Sequence, residues 1–315
     1  MTSAQEAQEA LAAGEFARAK DIYGSLLEEY PEESDYICGF YTSAYWDNRH
    51  SMILEAPPGK ARGSALVEAW DQFEALANDK EFSGLSSFRT AMRSILGRAA
   101  EEFRLSFQDS GLTHDSRTLA ELGRCLIRIE DYANAAEILH FARKVRSTPE
   151  VLFLLGEALC ASAAGDRETL AKGLSYYRDA FILEPDIIDP SLIASHPASD
   201  VFTRVYEEKD QNKELASVWF PAKLMSLAQR LPLRRLLPEE VKEISKDLAR
   251  LSPDLERVVE KYKERVRARI CFFILVLLQH HYLHDYNEEA IQELETRLAE
   301  LDAHLYKEYR DYLHG

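Results

Sequence analysis

The stretch that decides the fold is "LAELGRCLIRIEDYANAAEILHFARKV", residues 119–145. Leu119, Leu122, Gly123 and Leu126 advance by three, one and three, the spacing of one helical face. "IED" then breaks the pattern, and Ala135, Leu139 and Ala142 resume it with steps of four and three. A small residue beside two larger ones on one face lets a neighbouring helix come close while the larger side chains fill the flanking groove. The stretch therefore reads as a helical hairpin with a tight turn at Glu130 to Tyr132.

Working outward, the same signature returns. The Ala135 triplet is matched by Ala19, Tyr23, Leu26, by Ala69, Phe73, Leu76 and by Gly173, Tyr177, Ala180. The Leu119 quartet is matched by Leu152, Leu155, Gly156 and Leu159, with Gly123 and Gly156 expected where the partner helix crosses. Pro31 and Pro185 each follow a triplet by five residues, where a proline ends a helix by withholding its N–H. "GEF" at Gly14 to Phe16 plays the turn role of "EDY". Self-similarity at this period marks a stack of supersecondary units.

These residues resemble the tetratricopeptide repeat (TPR) family, whose pattern runs from a large apolar residue and Leu-Gly through a Gly-Asp-Tyr-like turn to Ala, aromatic, Ala and Pro. "LAAGEFARAKDIYGSLLEEYP" and the opening stretch carry it. "LFLLGEALCASAAGDRETLAKGLSYYRDAFILEP" carries it with about five extra turn residues. The Ala69 copy keeps its second helix, with the turn swollen into "NRHSMILEAPPGKARG" by an insertion at about 48–63, and Ala99, Phe103 and Ser106 mark a degenerate copy. The resemblance spans about 1–185. It implies an all-α tetratricopeptide-like helical-hairpin solenoid with a C-terminal helical extension over 186–315. About fourteen helices and no sheet are expected. Residues 85–109 read as one helix or as two broken at Gly97. Beyond "DIIDPSLIASHPASD", helices are expected at about 198–209, 212–231, 238–251, 253–284 and 287–313.

Charge narrows the function classes. With 54 acidic against 38 basic residues the formal net charge is −16, a field that repels phosphate backbones and anionic lipid heads. Neither nucleic acid nor a membrane surface is an expected partner. Cys38, Cys125, Cys160 and Cys271 are scattered without CxxC spacing, which speaks for small buried hydrophobes rather than a disulfide or zinc framework. The N-terminal "MTSAQEAQEALAAGEF" has neither a basic start nor an apolar run, so the expected location is cytoplasmic.

"CFFILVLLQHHYLH", residues 271–284, needs separate treatment. Eight unbroken apolar residues fall short of the about twenty that span a bilayer, and a helix apolar all round must be covered on several sides. Ser252-Pro253-Asp254 reads as its start: a capping hydroxyl, a first-turn proline and an early acid. His280 and His284 share a face one turn apart, a spacing able to hold zinc or nickel. Polar residues closing a helix C-terminus are the plainer account. Further on, Ile291, Leu294, Leu298, Leu301 and Leu305 form a seam that packs back on the 253–284 helix or joins a second copy in a homodimer.

No P-loop, GxGxxG, GxSxG or other named catalytic pattern occurs, so no enzyme activity and no cofactor is expected. The resemblance implies instead a protein-protein interaction scaffold or adaptor, whose first helices turn side chains into a concave groove that holds a partner peptide. Arg117, Arg124 and Arg128 lie off the packing face at steps of seven and four, and family geometry turns them toward that groove, where guanidiniums would grip an acidic segment bidentately; the plainer account is a solvated face paired with nearby acids. Tyr45 and Trp46 in "DYICGFYTSAYWDN" supply a candidate aromatic ledge in the same groove. The alternatives are a small-molecule- or metal-binding helical protein with its site between array and extension, and an enzyme assembled from scattered residues.

Overall fold

In the computed structural model, residues 3–108 and 115–314 are described. The protein is all-helical. Fifteen α-helices and two 3-10 turns occur among the described residues, which contain no strand. In chain order they are α1 (Ser3–Ala13), α2 (Phe16–Glu29), α3 (Ser34–Glu55), α4 (Lys60–Asp79), α5 (Ser86–Gln108), α6 (Ser116–Arg128) and α7 (Tyr132–Val145). There follow α8 (Pro149–Ser162), α9 (Arg167–Leu183), α10 (Ala198–Glu208), α11 (Lys213–Leu227), α12 (Pro238–Arg257), α13 (Glu260–Leu283), α14 (Glu288–Leu301) and α15 (Ala303–His314). Two compact units divide the chain, residues 1–145 and 146–315. The hairpin α8–α9, whose pattern groups it with the helices before it, belongs to the second unit.

Neighbouring helices pack in pairs: α1 on α2, α4 on α5, α6 on α7 and α8 on α9. The hairpins rest on the missing side chains of glycines. A Cβ on Gly123 of α6 would lie 2.6 Å from Leu139 Cδ2 on α7, and one on Gly173 of α9 would lie 2.7 Å from Cys160 Sγ on α8. Helix ends repeat a backbone device as well. Glu15 N–H donates to the Ala10 carbonyl at 2.9 Å and Asp131 N–H to the Leu126 carbonyl at 2.8 Å. In each case the residue just before the donor is left-handed: Gly14 at φ 74° and Glu130 at φ 67°. This closure satisfies carbonyls that the ending helix leaves without partners.

The Ala69 copy is out of register. On α4 the buried residues are Gly63, Leu66, Trp70, Phe73 and Ala77, while Leu76 is exposed. The reason is its partner: α4 packs on α5, where a Cβ on Gly63 would lie 2.9 Å from Phe103 Cε1. The helix that precedes it, α3, packs on α2 and α5. Residues 48–55, expected in a swollen turn, extend α3, and the connection shrinks to Ala56–Gly59. Ser86 to Gln108 form one helix, unbroken at Gly97.

In the second unit α13 is the central element, packed against α11, α12 and α14. Every residue from Ile270 to His280 is buried. By length and composition alone α13 is apolar enough to cross a membrane, contrary to the sequence expectation, yet most of its apolar stretch is buried inside the protein. Helices from this chain thus cover the apolar run on several sides.

Two boundaries differ from expectation. The break before α13 falls at Val258 and Val259, both extended, rather than at Ser252-Pro253. Ser252 is inside α12 and its hydroxyl donates to the Leu248 carbonyl at 2.6 Å instead of capping a new helix. The final helix is two: Asp302 is extended at φ −154° and accepts from Leu305 N–H at 2.9 Å, restarting the chain as α15. The Ile291–Leu305 seam is therefore not continuous, although Ile291, Leu294, Leu298 and Leu305 are all buried in the chain.

Candidate functional site

The start of α6 sets the site. Asp115 caps the helix, accepting from Arg117 N–H at 3.1 Å, from the Thr118 hydroxyl at 2.9 Å and from Lys60 Nζ at 2.7 Å. Lys60 and then Thr118 hold its carboxyl down to about 2. With the start so fixed, Leu119, Leu122, Gly123 and Leu126 turn into the core, and Arg117 and Arg124 emerge two turns apart, about 10 Å along the axis.

Both arginines line an open cleft of about 490 Å³ between α4, α5 and α6, floored by Val67 and Phe103. Its opposite wall is acidic, with Glu68 and Asp71 of α4, and Glu121 stands between the arginines on their own wall. Arg117 is exposed. Arg124 is about one-third exposed, with its Nε 4.0 Å from Glu121. The expected row of three guanidiniums is thus a pair. Arg128 is drawn out of the row, its side chain 10% exposed, with Asp71 at 2.8 Å on one terminal nitrogen and Glu74 at 2.8 Å on the other. It clamps α6 to α4. A guanidinium held by two carboxylates in a largely desolvated position has little left to offer a ligand.

Tyr45 and Trp46 do not form a ledge. Trp46 is wholly buried and stacks on Trp70, ring centroids 6.3 Å apart and planes 11° apart. Tyr45 is half-buried, donates to the Ala69 carbonyl at 3.2 Å and carries the Arg49 guanidinium 3.7 Å over its ring. The surplus of aromatics on α3 reflects packing on several sides, against α2, α4 and α5.

His280 and His284 are also structural in geometry. His280 is 3% exposed and its Nε2 lies 3.2 Å from Asp285 Oδ2. Burial pushes its imidazole below the usual range, against the pull of Asp285. His284 ends α13 with its ring centroid 5.8 Å from that of His280. The three-ligand grouping that forms among the described residues lies elsewhere, at Glu208, His304 and Glu308. There the buried Lys223 ammonium sits 2.7 Å from Glu208 and 2.8 Å from Glu308, neutralising the carboxylates a cation would need.

One polar centre escaped the sequence reading. Glu157 lies on the apolar helix α8 and is completely buried. It accepts from Ala194 N–H at 3.0 Å, from Ser195 N–H at 2.8 Å, from the Ser195 hydroxyl at 2.9 Å and from the Tyr177 hydroxyl. Burial pushes its carboxyl up, while these donors pull the other way. Both oxygens are engaged, so Glu157 ties the connector after α9 to the α8–α9 hairpin. Its signal in the sequence was a lone carboxylate in "FLLGEALC".

Comparison with family profiles, with curated proteins and with solved structures returns no match for this chain.

Proposed function

We propose that the protein is a non-catalytic, tetratricopeptide-like interaction scaffold that takes a short acidic segment of a partner protein into the α4–α6 cleft. The observation that carries this reading is the pairing of Arg117 and Arg124 along one wall of an open, 490 Å³ trough with an apolar floor. A peptide needs an open trough rather than a closed pocket. Two guanidiniums two turns apart match carboxylates spaced along an extended segment. Glu68 on the α4 side adds direction, since it repels carboxylates there and favours a basic or neutral flank, while its neighbour Asp71 is held by Arg128. The repeat pattern of the sequence and the hairpin pairs support the tetratricopeptide-like assignment, and the acidic composition suits a cytoplasmic adaptor.

Display selection of random peptides on the full chain tests the reading. Selected peptides should be rich in Asp and Glu, and Arg117→Glu with Arg124→Glu should weaken them at least about tenfold at unchanged helicity. Peptides without acidic bias, or binding unaltered by the double reversal, would sink it.

A further inference from the structure

We propose that the second unit holds a binding site for a small monocarboxylate with an apolar body, in a cavity bounded by the segment that follows α9 and by α11, α12 and α13. The cavity measures about 210 Å³. Pro185, Val218, Pro221, Leu251, Val266 and Phe272 form its apolar wall. Space of that size takes roughly ten non-hydrogen atoms at protein packing density, fewer than a drug-sized ligand.

Two guanidiniums and one carboxylate border the cavity, and they are not equivalent. Arg265 is matched, with Asp186 at 3.2 Å and Glu214 at 3.4 Å. Arg269 is not. Its terminal nitrogens donate to main-chain carbonyls, those of Phe181 and Ile182, and its guanidinium lies 4.2 Å from the Phe273 ring centroid and 5.4 Å from that of Phe272. No carboxylate among the described residues stands within ion-pair distance of it. Carbonyls and ring faces solvate a cation without cancelling its charge. Burial accordingly pushes the Arg269 pKa down to about 10.

An uncancelled, half-buried cation at the edge of a hydrocarbon-lined space selects its ligand. The apolar wall favours an alkyl or aromatic body, and the cation favours one negative charge at its end. Asp186 opposes a second charge, which disfavours phosphates and dicarboxylates. Hydroxyl and amide side chains are missing from the lining among the described residues, so a sugar-like ligand would lose its own hydrogen bonds. Pro221 is a mid-helix proline in α11. It can give no N–H to the Ser217 carbonyl one turn back, and its ring instead adds apolar surface to the wall.

Octanoate, with ten non-hydrogen atoms, is a suitable probe on the full chain, with 1-octanol and octanedioate as controls. Calorimetry should show saturable one-to-one binding of octanoate, with each control weaker by at least about tenfold. Amide NMR shifts on the unsubstituted chain should cluster at 186–187, 218–220 and 265–272. Val218→Phe, at a half-buried wall position, should abolish binding, and Arg269→Gln should erase the preference for octanoate over octanol. The proposal is overturned by absence of saturation at millimolar octanoate, by equal binding of octanol, or by shifts that cluster elsewhere. The shift map needs no variant, so a misfolded substitution leaves the test intact.

Discussion

The hairpin α6–α7 and the helix α13 are built by opposite means. In α6–α7 each helix turns a definite face to the other, and α6 a second face to α5, with Gly123 under Leu139 and a left-handed Glu130 closing the turn. In α13 every side is a packing side from Ile270 to His280, because α11, α12 and α14 all lean on it. A helix with one main partner writes that partner's direction into its periodicity. A helix surrounded by several loses its periodicity, and its limits are set by neighbours far away in the chain.

That contrast has measurable consequences, taken here from the largest. Phe272 is about 1% exposed and touches Phe181 and Phe273, ring centroids 6.2 and 5.6 Å away. Phe272→Ala should cost about 3 to 5 kcal/mol by urea unfolding, and hydrogen exchange should rise in α9 and α11 as well as α13. A rise confined to α13 would break the contrast. Gly123→Val forces side-chain atoms into Leu139 and should cost about 1 to 3 kcal/mol, with faster exchange centred on α6 and α7.

Asp115→Ala removes the α6 cap and should cost about 1 kcal/mol near neutral pH. The fold holds the Asp115 carboxyl down to about 2, so its contribution is complete above the ordinary aspartate range and fades as pH falls toward 2. Wild type and variant should therefore converge in urea midpoint at the acid end. A gap that persists undiminished at pH 1, below both the folded and the unfolded value, would mean the cap works through something other than its charge. Last, Glu130→Gly relieves a left-handed residue at φ 67° and forfeits an exposed ion pair with Arg93. The net gain should be up to about 1 kcal/mol, and a loss would show that the pair outweighs the strain.

The same contrast explains what could be read in advance. The all-helical class and the hairpins at 119–145 and 152–183 were legible because glycine, alanine and leucine at fixed steps encode one close crossing each. The register of α4 was not, because Trp70 rather than Ala69 faces α5, and a small residue nearby mimics the repeat. The ends of α12 and α13 were hidden by Ser252-Pro253, a start signal that α12 absorbs within its length, while two valines make the actual break. The periodicity of α6 placed Arg117 and Arg124 off its packing face. It did not show the capture of Arg128, because Asp71 and Glu74 lie more than fifty residues away in the chain. Trp46 was misplaced for a related reason: an aromatic on a second face looks exposed until the helix on that side is known.

Peptide binding in the α4–α6 cleft is the central claim, and hydrogen exchange of the full chain with and without a selected acidic peptide tests it most directly. Protection should appear at 64–72 and 117–124 and vanish in the Arg117→Glu, Arg124→Glu double variant. Protection confined to other helices, or surviving the double reversal, would contradict it.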